Sequence, residues 1–269
     1  MTDFALPPVG LGTGGAEFPS GSECVAAVST ALELGYRHVD TAVMYGNHGA
    51  VGRGIRESTV AREEITLGTK VPPGELEYRD VVDCIERSRE ELGLERIDVG
   101  YVHFPSTEYD PEETLAAFSA LVEDGAIGGV GVSNFSVDQL SEARSHLGDE
   151  LAVVQAELHP LCWQPEQVEW AREHDLPIVG YAPLARGRVL RVDEIVEIAD
   201  KHGVTPAQVA LAWLTGKPNV VTVAKSTRRE HLAENLRAPS LSLDDEDVRR
   251  IESISETERL VDPTRYEEG

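Results

Sequence analysis

The chain has 269 residues, of which 24 are basic (Lys and Arg) and 48 acidic, so its formal net charge is −24. Such a charge repels nucleic acid and anionic membranes, and we expect neither as a partner. The basic residues comprise four lysines and twenty arginines. This acidic, lysine-poor composition favours a halophilic protein over an ordinary acidic cytosolic one, because concentrated salt screens the repulsion between carboxylates.

The cysteines and the apolar runs indicate the cellular compartment in which the protein works. The three cysteines show no C-x-x-C spacing, which supports neither a disulfide framework nor a metal site. No apolar run reaches the ~18 residues of a membrane helix, and the start MTDFALPPV is not typical of a signal peptide. We therefore expect a cytoplasmic protein that acts as a monomer on a small molecule.

Short apolar runs alternate with amphipathic stretches along the whole chain. The predicted strands cover 9–13, 37–42, 65–70, 98–104, 127–134, 152–158, 177–183 and 220–225. The predicted helices cover 22–34, 48–57, 78–92, 111–124, 136–147, 165–174, 192–215, 228–236 and 244–255.

Eight strands, each followed by a helix, indicate an α/β fold with an all-parallel sheet. The length matches a (β/α)8 TIM barrel, which typically takes about 250 residues. We predict a single barrel domain over 1–269, with a polar C-terminal tail (257–269) on its surface. A doubly wound open sheet is the alternative.

The stretch GLGTGG at 10–15 spells G-x-G-x-x-G, the dinucleotide fingerprint of doubly wound folds. That fingerprint needs a strand before it and a helix that opens at its third glycine. Here Pro7 and Pro8 precede it, and Pro19 and Gly21 interrupt the chain after it. We therefore interpret the stretch as a short strand and turn.

Four residues of catalytic type stand at the ends of successive strands: Asp40 at the second, with Tyr45 just beyond it, Lys70 at the third and His103 at the fourth. Catalytic groups of a barrel lie at the carboxyl ends of its strands. Each residue alone also has an ordinary structural interpretation, such as a helix cap, a surface lysine or a core histidine. Their occurrence at successive strand ends favours an active site.

The sequence resembles the aldo-keto reductases from about residue 8 to 266, and most of all the short bacterial branch with the diketogluconate reductases. The carrying segments are GLGT (10–13), YRHVDTAVMYGN (36–47), LGTKV (67–71), YVHFP (101–105), GVGVSNF (129–135), VQAELHP (154–160), GYAPLARG (180–187) and KSTRREHLAENL (225–236). The resemblance implies NAD(P)H-dependent reduction of an aldehyde or ketone to an alcohol. It also implies that GLGT is the first barrel strand.

The resemblance places the family's catalytic tetrad on Asp40, Tyr45, Lys70 and His103. Tyr45 would be the general acid, and the Lys70 ammonium would lower the phenol's pKa from its ordinary value of ~10. Asp40 would hold Lys70 charged, and His103 would orient the substrate oxygen as a neutral imidazole.

The resemblance also implies a cofactor site, with NADPH/NADP+ preferred and NADH possible. By this resemblance, Ser133, Asn134 and Gln155 would bind the nicotinamide carboxamide, and the Tyr181 ring would stack on the nicotinamide. The remaining cofactor contacts would be Gly12, Thr13, Leu184, Lys225, Ser226, Thr227, Arg228, His231, Glu234 and Asn235. His231 stands where the family often has an arginine for the 2′-phosphate, which weakens the case for NADPH. No metal is expected.

The substrate pocket departs from the family pattern. Gly14, Pro72 and Phe104 stand where the family frequently has tryptophans. With His103 they would line an open pocket for small or polar carbonyls. Two other functions remain open: a regulatory subunit that binds cofactor for a partner protein, as potassium-channel β-subunits do, and a barrel hydrolase or isomerase.

Overall fold

A computed structural model describes residues 6–15 and 18–262 of the chain. Eight parallel strands close into a barrel in chain order. They are β1 (Val9–Gly12), β2 (His38–Asp40), β3 (Thr66–Val71), β4 (Ile97–Val102), β5 (Ile127–Ser133), β6 (Leu151–Glu157), β7 (Ile178–Tyr181) and β8 (Val220–Ala224). The helices are α1 (Ser22–Leu34), α2 (His48–Glu57), α3 (Tyr78–Leu92), α4 (Pro111–Glu123), α5 (Val137–Leu147), α6 (Pro165–Glu173), α7 (Asp193–His202), α8 (Pro206–Thr215), α9 (Arg229–Arg237) and α10 (Asp245–Glu252).

The barrel closes between its first and last strands, where Val9 pairs with Thr222 and Leu11 pairs with Ala224. This closure confirms the predicted (β/α)8 barrel, and the alternative of an open doubly wound sheet is wrong. The strands are buried along both faces, which explains why they read as continuous apolar runs in the sequence.

Two apolar regions build the core. The barrel interior holds Val99, Tyr101, Val153, Val179, Val221 and Val223. A larger region packs the outer faces of the strands against the surrounding helices, with Phe118 and Ile127 fully buried in it. Within the described part of the chain, every helix is too short or too polar to cross a bilayer.

The prediction of one helix over 192–215 is wrong, because α7 and α8 are separate helices. Thr205 caps α8: its hydroxyl accepts a hydrogen bond from the Gln208 N–H, and Pro206 occupies the first helical position. Proline lacks the N–H that a continuous helix needs, so a new helix begins there.

The predicted tail begins at Thr257, and the structure describes it as far as Asp262; residues 263–269 lie outside the described residues. The buried Glu157 carboxylate accepts hydrogen bonds from the backbone N–H groups of Leu260 (2.7 Å) and Val261 (2.9 Å). The tail is therefore fixed to the carboxyl end of β6.

Candidate functional site

The polar residues predicted from the strand ends meet at one mouth of the barrel. Asp40 ends β2, Lys70 is the penultimate residue of β3, and His103 directly follows β4. All three side chains are buried. A parallel barrel directs the carboxyl ends of all its strands to the same face, and this topology brings the three residues together.

Lys70 and Asp40 form the buried ion pair of the site. The Lys70 ammonium donates to Asp40 Oδ1 at 2.5 Å and to the Thr41 carbonyl at 2.8 Å. Burial alone would favour neutral Lys70, but Asp40 and Tyr45 outweigh it, so the pKa of Lys70 lies above its ordinary value. Lys70 is therefore charged although its side chain is buried.

Tyr45 lies beside this ion pair, with its ring centroid 5.3 Å from Lys70 Nζ. Burial raises the pKa of Tyr45, and the charge of Lys70 only partly opposes that rise. The expected fall of this pKa below its ordinary value is thus wrong. Lys70 acts in the expected direction, but desolvation of the phenol is the larger effect, and Tyr45 is a protonated donor at neutral pH.

Gly14 makes room for the Tyr45 ring. A Cβ at position 14 would lie 2.5 Å from Tyr45 Cζ and 2.8 Å from its hydroxyl oxygen. A larger side chain there would displace the phenol. The β1–α1 loop is therefore in direct contact with Tyr45, as expected for a pocket residue.

His103 completes the set. Its ring lies at 83° to the Tyr45 ring with centroids 6.0 Å apart, and it stacks on Phe104 at 4.7 Å. Burial and the charge of Lys70 hold the pKa of His103 well below its ordinary value, so the imidazole is neutral, as expected. Pro72, the third residue expected around the pocket, follows β3 and is half-buried.

The residues expected around a carboxamide form a connected network beside the ion pair. Gln155 donates its amide to Asp40 Oδ2 at 2.9 Å. Asn134 donates to Ser133 Oγ and to the His103 carbonyl, both at 3.0 Å, and accepts from the Tyr181 hydroxyl at 2.6 Å. The Asn134 amide therefore holds the ends of β4, β5 and β7 in place.

The residues expected around the phosphates follow β8. A Cβ at Gly15 would lie 3.0 Å from Lys225 Nζ, so the β1–α1 loop approaches the end of β8. The Ser226 hydroxyl accepts the Arg228 N–H at 3.1 Å. Arg228 directly precedes α9, and its guanidinium pairs with Glu230 at 3.4 Å.

The remaining predicted cofactor residues divide between surface and interior. Gly12 and Thr13 are buried at the end of β1, and Leu184 packs against the small cluster of Leu211, Ala224 and Ala238. Thr227 and His231 are exposed, Glu234 is half-buried and Asn235 is buried on α9.

Thr41 and Asn47 were not among the predicted site residues, and they hold the β2–α2 loop in place. The Thr41 hydroxyl donates to Asn47 Oδ1 at 3.0 Å, and the Asn47 amide donates to the Thr13 carbonyl at 2.9 Å. Thr13 in turn donates its hydroxyl to the Asp40 carbonyl at 3.0 Å. An asparagine in a loop two residues after the tyrosine was the available signal, since asparagine often fixes loops through its side chain.

Glu157, His159 and Cys162 form a second polar cluster, with potential ligand atoms within 4.8 Å of one another. The two ring nitrogens of His159 already have partners, because Nε2 bonds Glu157 at 2.9 Å and Nδ1 accepts the Leu161 N–H at 3.2 Å. Burial also raises the pKa of Cys162 to about 11, so the thiol is protonated. We interpret this cluster as the anchor of the C-terminal tail.

Comparison with known proteins agrees with this geometry. The model of the Aldo/keto reductase family matches residues 8–256. The chain belongs to this family. It is 38% identical to methylglyoxal reductase DkgB of Escherichia coli O157:H7 over 264 residues, which cover 97% of each protein. It is 34% identical to a glyoxal reductase of Bacillus subtilis (strain 168), over 95% of this chain and 91% of the relative.

A solved structure described as a putative 2,5-diketo-D-gluconic acid reductase B superposes with a TM-score of 0.91 at 29% identity. The match covers 97% of this chain and 92% of that one. The resemblance to the branch with diketogluconate reductases is thus confirmed. The family and its reductase members make the chain an oxidoreductase that acts on carbonyl compounds.

Proposed function

We propose that the chain reduces small aldehydes and ketones with NADPH, using Tyr45 as the general acid. The observation that carries the proposal is the contact of the Tyr45 ring with a buried, charged Lys70 that Asp40 holds in place. A cation fixed beside a phenol stabilises the tyrosinate that remains after proton donation. Neutral His103 next to it is a hydrogen-bonding group for a carbonyl oxygen.

The residues around the mouth fit a nicotinamide dinucleotide. Ser133 and Gln155 offer hydroxyl and amide groups of the kind that a carboxamide bonds. Lys225 and Arg228 supply cations beside the N-terminus of α9, which favours anions through its dipole. The bound cofactor would supply the hydride that the carbonyl carbon receives.

The chain's own groups would complete the reduction. Tyr45 would transfer its phenolic proton to the carbonyl oxygen, so that the product is the alcohol. Lys70 stabilises the tyrosinate, and Asp40 prevents Lys70 from losing its charge in the buried site. His103 donates a hydrogen bond to the carbonyl oxygen and fixes its orientation.

We propose small, polar carbonyl compounds such as methylglyoxal and glyoxal as the substrate class. Two relatives carry these compounds in their names. The pocket side chains agree with this class, since Gly14 has no side chain over Tyr45 and Pro72 is compact. Small residues at positions 14 and 72 leave these two sides of the pocket with few apolar contacts for a bulky substrate.

The test is turnover of methylglyoxal and glyoxal with NADPH by the wild type and by Tyr45→Phe. We expect Tyr45→Phe to lose 10²–10⁴-fold in kcat, the typical value of general acid catalysis, and to keep its affinity for NADPH. Tyr78→Phe is the matched control, because it removes the same hydroxyl from an exposed position on α3. That control should retain wild-type kcat.

Lys70→Met extends the test to the cation. It should also abolish turnover and should lower stability by about 3–5 kcal/mol, since it leaves the Asp40 carboxylate buried without its partner.

If Tyr45→Phe kept a third of wild-type kcat, Tyr45 would not be the acid. A wild type that binds NADPH but turns over no carbonyl would instead favour a regulatory cofactor-binding subunit.

A further inference from the structure

Tyr101 is a fully buried tyrosine that the proposed chemistry does not use. It lies on β4 inside the barrel, two residues before His103. Its hydroxyl has no hydrogen-bond partner among the described residues, and burial raises its pKa well above the ordinary value. A buried, unpaired hydroxyl lowers stability, so packing of the hydroxyl does not explain a tyrosine here.

The Tyr101 ring, in contrast, has a specific neighbour. Lys70 Nζ lies 5.7 Å from its centroid and 5.3 Å from the centroid of Tyr45. Both distances are within the range of a cation–π contact, and Lys70 is only 1% exposed. The ammonium therefore has two aromatic rings around it in addition to the carboxylate of Asp40.

The backbone on both sides is shaped around this ring. A Cβ at Gly131 would lie 2.2 Å from Tyr101 Cδ1, and a Cβ at Gly68 would lie 2.9 Å from Tyr101 Cε2. Strand β5 also shifts its register relative to β6 between Val130 and Gly131. Any larger residue at position 68 or 131 would displace the ring from beneath Lys70.

We propose that Tyr101 is a positioning residue, whose ring holds the Lys70 ammonium in place and in its charged form beside Tyr45. The inference rests on the proposed role of Tyr45 as the acid. The ring is effective because Lys70 and Tyr101 are both buried, and cation–π attraction is strongest in desolvated sites. The hydroxyl of Tyr101 has no part in it.

The pH dependence follows from the groups around Lys70. The titratable groups that act on it or feel its charge are Asp40, Tyr45, Tyr101, His38, His48 and His103. Loss of the Tyr101 ring would remove an attraction that favours the ammonium, so the pKa of Lys70 would fall. Because the proposed mechanism needs charged Lys70, the fall of kcat at alkaline pH would then begin at lower pH. The fall of kcat at acidic pH would be unchanged.

The experiment compares Tyr101→Leu with Tyr101→Phe. For Tyr101→Leu we expect about tenfold lower kcat, an alkaline limb about one pH unit lower and unchanged affinity for NADPH. Tyr101→Phe keeps the ring, so it should retain kcat within twofold and should unfold at the same or a higher temperature. Val153→Ala is the control, because it removes packing from the same interior cluster and leaves both rings.

A second readout does not depend on turnover. The chain has four lysines, so NMR of ¹⁵N-labelled lysine side chains gives few signals. Replacing each of the other three lysines by arginine would identify the signal of Lys70. We expect the Lys70 signal to change position and to titrate at lower pH in Tyr101→Leu, and to stay close to wild type in Tyr101→Phe. Tyr101→Met is a second ringless variant, in case the leucine variant does not fold.

Two results would overturn the inference. If Tyr101→Phe lost as much kcat as Tyr101→Leu, the hydroxyl and not the ring would be the active part. If the ringless variants left both the Lys70 titration and the alkaline limb unchanged, the ring would be packing alone. A wild type without carbonyl turnover would contradict the proposed function, while the NMR titration would still decide the role of the ring.

Discussion

At the residue scale, burial sets the charge states that the site uses. Lys70 is charged although it is buried, because Asp40 lies 2.5 Å away. His103 is neutral because burial and Lys70 both disfavour a second positive charge. The same two effects act one layer deeper in the barrel, where burial lowers the pKa of His38 to about 4. Of these three buried groups, Lys70 is hydrogen-bonded to a carboxylate, and it is the one that carries a charge.

His38 gives a stability prediction with a definite sign. Its pKa is lowered from 6.5 to about 4 in the folded chain, so between these pH values the unfolded chain binds the proton and the folded chain does not. Stability must then fall as the pH decreases through this window, and His38 contributes no further loss below pH 4. The whole window corresponds to about 3 kcal/mol.

Urea unfolding at pH 7, 6, 5 and 4.5 measures this effect in wild type and His38→Asn. We expect the free energy of unfolding of the variant to change less with pH than that of the wild type. The difference in slope should correspond to at most one bound proton. His146→Asn is the matched control, because His146 is exposed on α5. Equal pH slopes in wild type and His38→Asn would contradict the prediction.

At the element scale, the start of α9 decides how well a 2′-phosphate would be bound. His231 is exposed there and offers one donor at a time, whereas an arginine offers a planar fork. The Arg228 guanidinium is shared with Glu230 at 3.4 Å, so a phosphate would compete with that carboxylate. We therefore expect NADPH to bind only about tenfold more tightly than NADH.

His231→Arg tests this assignment. It should tighten NADPH binding and leave NADH nearly unchanged, because NADH lacks the phosphate that the new fork would bind. Dissociation constants from quenching of intrinsic fluorescence measure both. His146→Arg adds the same charge on α5 and controls for net charge. Equal or tighter binding of NADH by the wild type would show that Lys225 and Arg228 do not reach the phosphate.

The elements also show how far the sequence predicts the fold and the candidate site. The eight strands and the meeting of Asp40, Lys70 and His103 were predictable, because burial imposes apolar runs and parallel strands share one carboxyl face. The break between α7 and α8 was missed, although Thr205 and Pro206 are a helix start in the sequence. The apolar periodicity of α7 and of α8 resembles that of one continuous helix, so the break between them was not recognised.

The sequence could not predict effects that depend on how deeply a side chain is buried. The rise in the pKa of Tyr45 follows from desolvation of the phenol in the folded chain, and no local pattern encodes that. The contact of Tyr101 with Lys70 joins side chains on neighbouring strands across the barrel interior, and it needs the space left by Gly68 and Gly131. Such contacts depend on strand register as well as on residue type.

At the scale of the whole molecule, the chain carries a formal net charge of −24. Surface ion pairs such as that of Lys201 with Asp244 offset little of it, since exposed pairs contribute about 0–1 kcal/mol and salt weakens them. The chain has twice as many acidic as basic residues, 48 against 24. We therefore expect repulsion between carboxylates to outweigh the attraction within the pairs and to destabilise the compact state.

We accordingly expect the thermal midpoint of unfolding to rise as KCl increases from dilute buffer to 1 M. The Debye length shortens from about 30 Å at 0.01 M to about 3 Å at 1 M, so salt removes the long-range repulsion first. Most of the rise should occur below about 0.3 M if screening is its cause, whereas exclusion of salt from the protein surface would give a steady increase up to 1 M. Circular dichroism melts across this series measure the curve.

A variant with fewer carboxylates separates charge from other effects of salt. Glu90, Glu123 and Asp124 are exposed at the C-terminal ends of α3 and α4, where the helix dipole also disfavours negative charge. Their replacement by Gln, Gln and Asn should raise the midpoint in dilute buffer and reduce its further rise with KCl. A wild-type midpoint that stays flat or falls with KCl would contradict the predicted adaptation to salt. A variant that responds to KCl as the wild type does would show that the repulsion lies elsewhere on the surface.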